Sequence, residues 1–248
     1  MRNITRLSAI ALCAFAFAGL AQAQAPRPQF RPAVLGSGPD SLINRIDSEA
    51  LVKAGQKDGA VMFSSVVRKT GEAVQSRTFR GMPGSGPLEE ELRKKLADAK
   101  FAPAIYNQQP VDVILSGTVV FSIAEGKPRV RIFLNQDPNE LKTAADFIAP
   151  QPVFGADSAF TGLDYPAELP VPVSAVVDLV INVDATGKLR DLRVLVEEPP
   201  LLGFGEIAKQ DFVGARCIPA FRDGDPTETT TVYPAAYEPA DWAANLQP

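Results

Sequence analysis

The chain carries two long stretches in which apolar and polar residues follow the same plan. In the second, Val177, Leu179, Ile181 and Val183 alternate with Asp178, Val180, Asn182 and Asp184. That period of two predicts a half-buried strand. Asp184 to Lys188 supplies a turn, because Gly187 tolerates the positive φ that other residues resist. Leu192, Val194 and Val196 mark a second strand. The period then changes, with Phe204, Ile207, Ala208, Phe212 and Ala215 at helical spacing. Ile218-Pro219-Ala220-Phe221, a turn at Gly224 and an extended run from Thr229 to Tyr237 complete the unit.

The same order appears earlier. Val61, Phe63 and Val67 open a strand, Gly71 sits in a turn, and Ala73 to Arg80 is a weaker second strand. Pro87 suits the first position of a helix whose stripe is Leu88, Leu92, Leu96 and Ala99. Glu89, Glu90 and Glu91 early and Lys94, Lys95 and Lys100 late compensate its macrodipole. Val111 to Ile123 is a long extended run. Gly71 and Gly187, Pro103 and Pro219, and Pro110 and Pro226 are each 116 positions apart. The pattern predicts a duplication. The expected fold class is α+β: two β-β-α-β units, each a small antiparallel sheet with a helix on one face.

The first unit carries an addition. Val130, Ile132 and Leu134 alternate after a turn at Glu125-Gly126, which predicts a hairpin covering the last strand. Asp137-Pro138-Asn139-Glu140 then reads as a helix start, with Leu141, Ala144, Ala145 and Ile148 as a short apolar stripe. The expected organisation is a signal peptide over 1–23, a mobile Pro/Gly-rich segment over 24–40, a first unit over 41–148, a linker over 149–173, a second unit over 174–239 and a tail over 240–248. A helix or irregular lead-in is expected within 41–53.

Composition adds the compartment. Arg2 and Arg6 precede the apolar run Leu7–Leu20 and the small-x-small site Ala21-Gln22-Ala23, the layout of a cleavable secretory signal. The run is too short to span a membrane comfortably. A periplasmic location follows, with no membrane span after cleavage. Losing Arg2 and Arg6 takes the net charge of −4 to about −6. Scattered Lys and Arg argue against nucleic acid. Cleavage leaves Cys217 as the only cysteine, expected to pack as a buried thiol.

The inventory excludes most chemistry. The 248 residues contain no histidine, which removes Ser-His and Cys-His dyads and histidine metal sites. One mature cysteine cannot build a zinc or iron–sulfur centre. Gly81 to Gly86 lacks the lysine of a phosphate loop. Asp178, Asp184, the Glu197-Glu198 pair and the Glu89–Glu91 run remain as acid/base candidates, without a reason to converge. No catalytic residue, metal or cofactor is expected, and the chain is read as non-enzymatic, with a carboxylate-based hydrolase as the remote alternative.

What remains is a sheet edge, which can accept a partner strand through its backbone. In the second unit nothing follows the last strand to cover it, and Pro234 marks it as an edge because proline cannot donate to a ladder. The expected partner-binding residues are Thr229, Thr230, Thr231, Val232, Tyr233, Pro234, Ala235 and Tyr237.

The second unit resembles the C-terminal domain of TonB-type energy transducers. The likeness rests on Tyr165-Pro166, the strand Val177–Val183, the turn Asp184–Gly187, the helix Phe204–Arg216, Ile218-Pro219-Ala220, Gly224-Asp225-Pro226 and Val232–Tyr237. The first unit resembles it over Gly59 to Ile123. The resemblance implies a periplasmic β-β-α-β fold whose last strand adds to an extended receptor segment. Such transducers keep a membrane helix and a long Pro-rich spacer, whereas this chain has a cleavable signal and only 24–40 as spacer. The expected partner is therefore an extended peptide or another envelope protein. The alternative is a structural role, in which the two copies pack on each other, one covering the last-strand edge of the other, or chains dimerise through the same edges.

Overall fold

The computed structural model describes residues 29–143, 146–166 and 172–239. The expected signal peptide (1–23) and tail (240–248) lie outside these residues. The fold is α+β and rich in antiparallel sheet. In chain order, β1 (Phe30–Arg31) and β2 (Val34–Leu35) lead into α1 (Leu42–Arg45) and α2 (Ser48–Lys53). Then come β3 (Gly59–Val67), β4 (Ala73–Phe79), α3 (Gly86–Leu96), β5 (Phe101–Ala102), β6 (Ala104–Tyr106), β7 (Gln109–Ala124) and β8 (Lys127–Phe133). A connecting region holds α4 (Pro138–Thr143), β9 (Phe147–Ile148) and β10 (Gln151–Phe154). The chain closes with β11 (Ala175–Val183), β12 (Leu189–Glu198), α5 (Phe204–Asp211), β13 (Cys217–Ile218), β14 (Ala220–Arg222), β15 (Asp225–Thr227) and β16 (Thr229–Tyr237).

The 116-residue spacing recurs contact by contact. Val61 faces Val119 across β3 and β7, and Val177 faces Ala235 across β11 and β16. Phe63 faces Thr78, and Leu179 faces Val194. Ile105 faces Pro110, and Phe221 faces Pro226. The isolated bridges Glu72–Lys100 and Lys188–Arg216 keep the same offset. The turn glycines explain why. Gly71 and Gly187 sit at φ +87 and +79, and a Cβ on either would collide with a carbonyl, that of Phe101 or Cys217 respectively. The amides of Phe101 and Cys217 in turn donate to Gly71 O (2.8 Å) and Gly187 O (2.9 Å). Only glycine combines that backbone conformation with that close approach.

The helices α3 and α5 each pack on a sheet face. Leu88, Leu92 and Leu96 of α3 are fully buried against Val61, Phe63, Leu115 and Phe121. Phe204, Ala208 and Phe212, at the end of α5, are buried against Leu179, Ile181, Tyr233 and Tyr237. The helix expected over Phe204–Arg216 stops at Asp211, because Gly214 takes a left-handed φ of +71.

Three expectations are corrected. Residues 29–40 are extended but anchored: Phe30 pairs with Tyr106 and Val34 with Ala102, and the Gln151 side chain holds Ala33 through both its amide groups (2.7 and 2.8 Å). The helix expected to reach Ile148 ends at Thr143; Ala144 and Ala145 lie outside the described residues, and Phe147–Ile148 is a strand on β14. Phe147 is buried there, with the Arg222 guanidinium 4.8 Å from its ring centre. The 149–173 linker is not a free spacer either. Within it, β10 pairs with β7 at Val153–Val113 and with β13 at Gln151–Ile218, so one short strand ties both halves together.

Candidate functional site

β16 is an edge strand: among the described residues it pairs with β11 alone. Its residues Tyr233 and Tyr237 are turned onto α5 and its C-cap. Tyr233 meets Phe212 edge-on at 5.4 Å, and Tyr237 meets Phe204 at 5.3 Å. The Tyr237 hydroxyl donates to Asp211 (2.8 Å). Burial pushes both phenols' pKa upward and also raises that of the Asp211 carboxyl.

The backbone groups that face away from β11 recur every second residue. The Val232 amide points that way, which places Thr230, Pro234 and Ala236 in the same set. Proline falls where its missing N–H costs no ladder bond.

That outer edge is not open. Asp137 Oδ2 accepts from the Val232 amide at 2.9 Å and from the Thr231 hydroxyl at 3.0 Å. Arg77 donates to the Ala236 carbonyl at 3.0 Å. Pro234, Ala235, Ala236 and Tyr237 are buried, and only Thr230 of the strand is exposed. The expected uncovered edge is thus covered by the first unit. Asp137 comes from the segment after β8, where its other oxygen caps α4 by accepting from Asn139 N (2.8 Å). Beside it, Gln136 donates to the carbonyls of Phe63 (2.9 Å) and Gly117 (3.1 Å). This polar segment joins the first sheet to β16, and sequence reasoning saw only its helix-capping part.

The other long edge is different. β12 pairs with β11 and with no other strand among the described residues. Its ten residues carry Leu195 and Val196 at 51% and 41% exposure. A register shift opposite Asp178 and Leu179 turns Val196 to the open face beside Asp178. Just beyond, Leu201 is 95% exposed at a positive φ of 68, next to partly exposed Leu202. These residues are four of the five exposed large apolar side chains among the described residues of the second unit, Val213 being the fifth, and they were not singled out from sequence because Leu195 reads there as one more alternating strand position.

Of the candidate acid/base groups, Asp178 and Glu198 meet on one guanidinium and the others are tied up separately. Asp184 is enclosed in its turn, accepting from Thr186 N (2.8 Å), Thr186 Oγ1 (2.6 Å), Lys188 N (3.0 Å) and Arg190 Nε (2.6 Å). Burial alone would raise its pKa; these donors overcome that and hold the carboxyl well below the usual range. Asp178 and Glu198 share the Arg80 guanidinium at 2.6 and 2.9 Å. Glu197 accepts from the Leu202 and Phe204 amides and so caps α5. Glu89 and Glu90 pair with Arg93 and Lys94 along α3. Among the described residues no cluster of three or more His, Cys, Asp or Glu forms a metal-ligand set, and no helix is long and apolar enough to cross a membrane. Cys217 is fully buried, and burial pushes its thiol pKa up to about 12.

Comparison with family models, with curated proteins and with solved structures returns no match for this chain.

Proposed function

We propose that the chain is a non-enzymatic, periplasmic protein-binding module made of two β-β-α-β units of the TonB C-terminal type, and that it takes up an extended peptide or envelope-protein segment by strand addition along β12. The duplication is supported by registers, bridges and turn contacts that repeat 116 positions apart. The binding edge is carried by one observation: β12 is a ten-residue strand that among the described residues pairs only with β11, carries exposed Leu195 and Val196 and is followed by exposed Leu201. An added strand would gain backbone hydrogen bonds from the edge and burial from those side chains. The β16 edge, by contrast, already has Asp137 and Arg77 on it.

The test is a selection of displayed random peptides on the full chain, followed by binding to two variants. Leu195→Glu with Leu201→Glu removes the anchors without touching the core, and Thr230→Pro blocks the exposed end of β16. Peptides enriched on the parent chain should lose affinity at least tenfold for the first variant and keep it for the second. The reverse pattern would move the site to β16, and no enrichment at all would remove the strand-addition reading. The same unpaired strand can alternatively pair with its own copy; sedimentation then shows a dimer that the Leu195 and Leu201 substitutions dissociate.

A further inference from the structure

A polar cavity of about 90 Å³ lies where the first sheet meets the segment between β10 and β11. Ser64, Ser65, Gln75 and Arg77 line it from β3 and β4, and Gly162 and Asp164 from that segment. Two backbone features shape it. The β3–β4 register shifts between Ser64 and Val66, so that Gln75 and Ser76 together stand opposite Ser65. Gln75 takes a positive φ of 50 at this bulge, and bulges re-aim side chains beside binding sites. Gly162 takes a φ of +139, a region that favours glycine, and a Cβ there would stand 3.6 Å from Asp164 Oδ1. The Asp164 carboxylate therefore lies against that wall of the cavity. Arg77 is half-buried and gives one guanidinium nitrogen to the Ala236 carbonyl (3.0 Å). Among the described residues neither Arg77 nor Asp164 has an ion-pair partner, although both line this one cavity. Glu238 feels the Arg77 charge from a neighbouring groove, without a bond to it.

A cation and an anion that line one cavity without meeting leave room between them for a ligand that carries both opposite charges. We propose that the cavity binds a small α-amino acid of glycine or alanine size, its carboxylate on the remaining guanidinium nitrogens of Arg77 and its ammonium on Asp164. The charge pattern selects the zwitterion. A simple anion would satisfy Arg77 but face the Asp164 carboxylate, and a simple amine would face the guanidinium. A guanidinium also matches a carboxylate in shape, with two parallel N–H donors for its two oxygens. The volume selects the size: 90 Å³ is the room of about three water molecules, or about five heavy atoms, too little for a long side chain. Buried Ser64 and Ser65 keep the floor polar, so that an apolar side chain would gain nothing there. The site is distinct from β12 and does not rest on the proposed peptide binding.

Equilibrium dialysis of the full chain against radiolabelled glycine reads the site. Binding should saturate at one glycine per chain. Unlabelled alanine should compete, whereas acetate, methylamine and leucine should each compete at least tenfold less well, because each lacks one charge or exceeds the volume. Asp164→Asn, at an exposed position, should weaken glycine at least tenfold with unchanged far-ultraviolet circular dichroism. A second measurement needs no variant: amide chemical-shift changes on adding glycine should be confined to Ser64–Val66, Gln75–Arg77 and Thr161–Asp164. Acetate competing as well as glycine would overturn the proposal in favour of a plain anion site. Leucine competing equally would place the binding outside a cavity of this size. An Asp164→Asn variant that binds like the parent would remove the ammonium contact, and no saturable binding at millimolar glycine would leave the cavity to water.

Discussion

The carboxylate of Asp137 lies 2.9 Å from the Val232 amide nitrogen, 95 residues further along the chain. It occupies the position that the carbonyl oxygen of an added strand would take on β16. Asp137 is 5% exposed, so the bond is sheltered from water.

Asp137→Ala should therefore cost about 2–4 kcal/mol, from a buried amide left without its acceptor and from a lost helix cap. Denaturant titration measures the loss. Hydrogen exchange locates it, with the Val232 amide accelerated far more than the β11 amides on the other side of the strand. A variant within about 0.5 kcal/mol of the parent, the scatter of ordinary surface changes, would mean that the contact does not hold the two halves together.

Gly71 and Gly187 make a matched pair for the repeat. Alanine at either meets a left-handed φ and a carbonyl oxygen, of Phe101 or Cys217. Each substitution should destabilise by about 1–3 kcal/mol, and by similar amounts, since the surroundings are the same. Gly224, at φ +89 with nothing near a Cβ, is the control and should cost about 1 kcal/mol. If Gly224→Ala matches the other two, the close approach adds nothing and the glycines are explained by φ alone.

The 116-position spacing was legible because its determinants are local. A turn glycine, a proline after the helix and alternating strands are written in consecutive residues, and their spacing of 116 survives in the registers. Pro234 likewise announced an edge strand, and β16 is one. That the other copy could cover that edge was open from the sequence, but the residue that does so was not legible. Asp137 reads locally as a helix start, and it is one; its second oxygen serves a strand that only the packing of the halves brings near. Residues 29–40 misled for a related reason: Pro and Gly mark an extended chain, but whether it is free depends on partners such as Gln151, 118 positions from Ala33. The same holds for β10, whose four residues gain their meaning from β7 and β13 together.

Asp184 gives the fold a pH dependence of known sign. Its ordinary value is 3.8, and its donors hold the folded value below that. The ionised form is favoured in the fold, so the stabilisation is fully present above the ordinary value and is lost as the pH falls below it. Asp211 and Glu238, raised by burial, act in the opposite direction, so the difference between parent and Asp184→Asn should be read rather than either curve alone. The melting-temperature gap should be constant from pH 7 to about 5 and narrow toward pH 2. A gap independent of pH would show that only the turn's hydrogen bonds matter and not the charge.

Cys217 should behave as a core residue and not as a reactive thiol. Its side chain is fully buried, and its pKa of about 12 leaves almost no thiolate at neutral pH, the form that reacts. A thiol-specific disulfide reagent should leave it unmodified in the native protein at pH 8 and modify it completely in denaturant, with the labelled peptide identified by mass spectrometry. The labelling rate in intermediate denaturant should follow the opening of the second unit's core, because Cys217 packs there with the β11–β16 sheet. Replacement separates packing from polarity. Cys217→Ala deletes one buried atom group, whereas Cys217→Ser adds a hydroxyl to an apolar site, costing about 1–3 kcal/mol if no partner is found. Serine should therefore be the more destabilising of the two, and rapid native labelling or a harmless serine would place the thiol in contact with water.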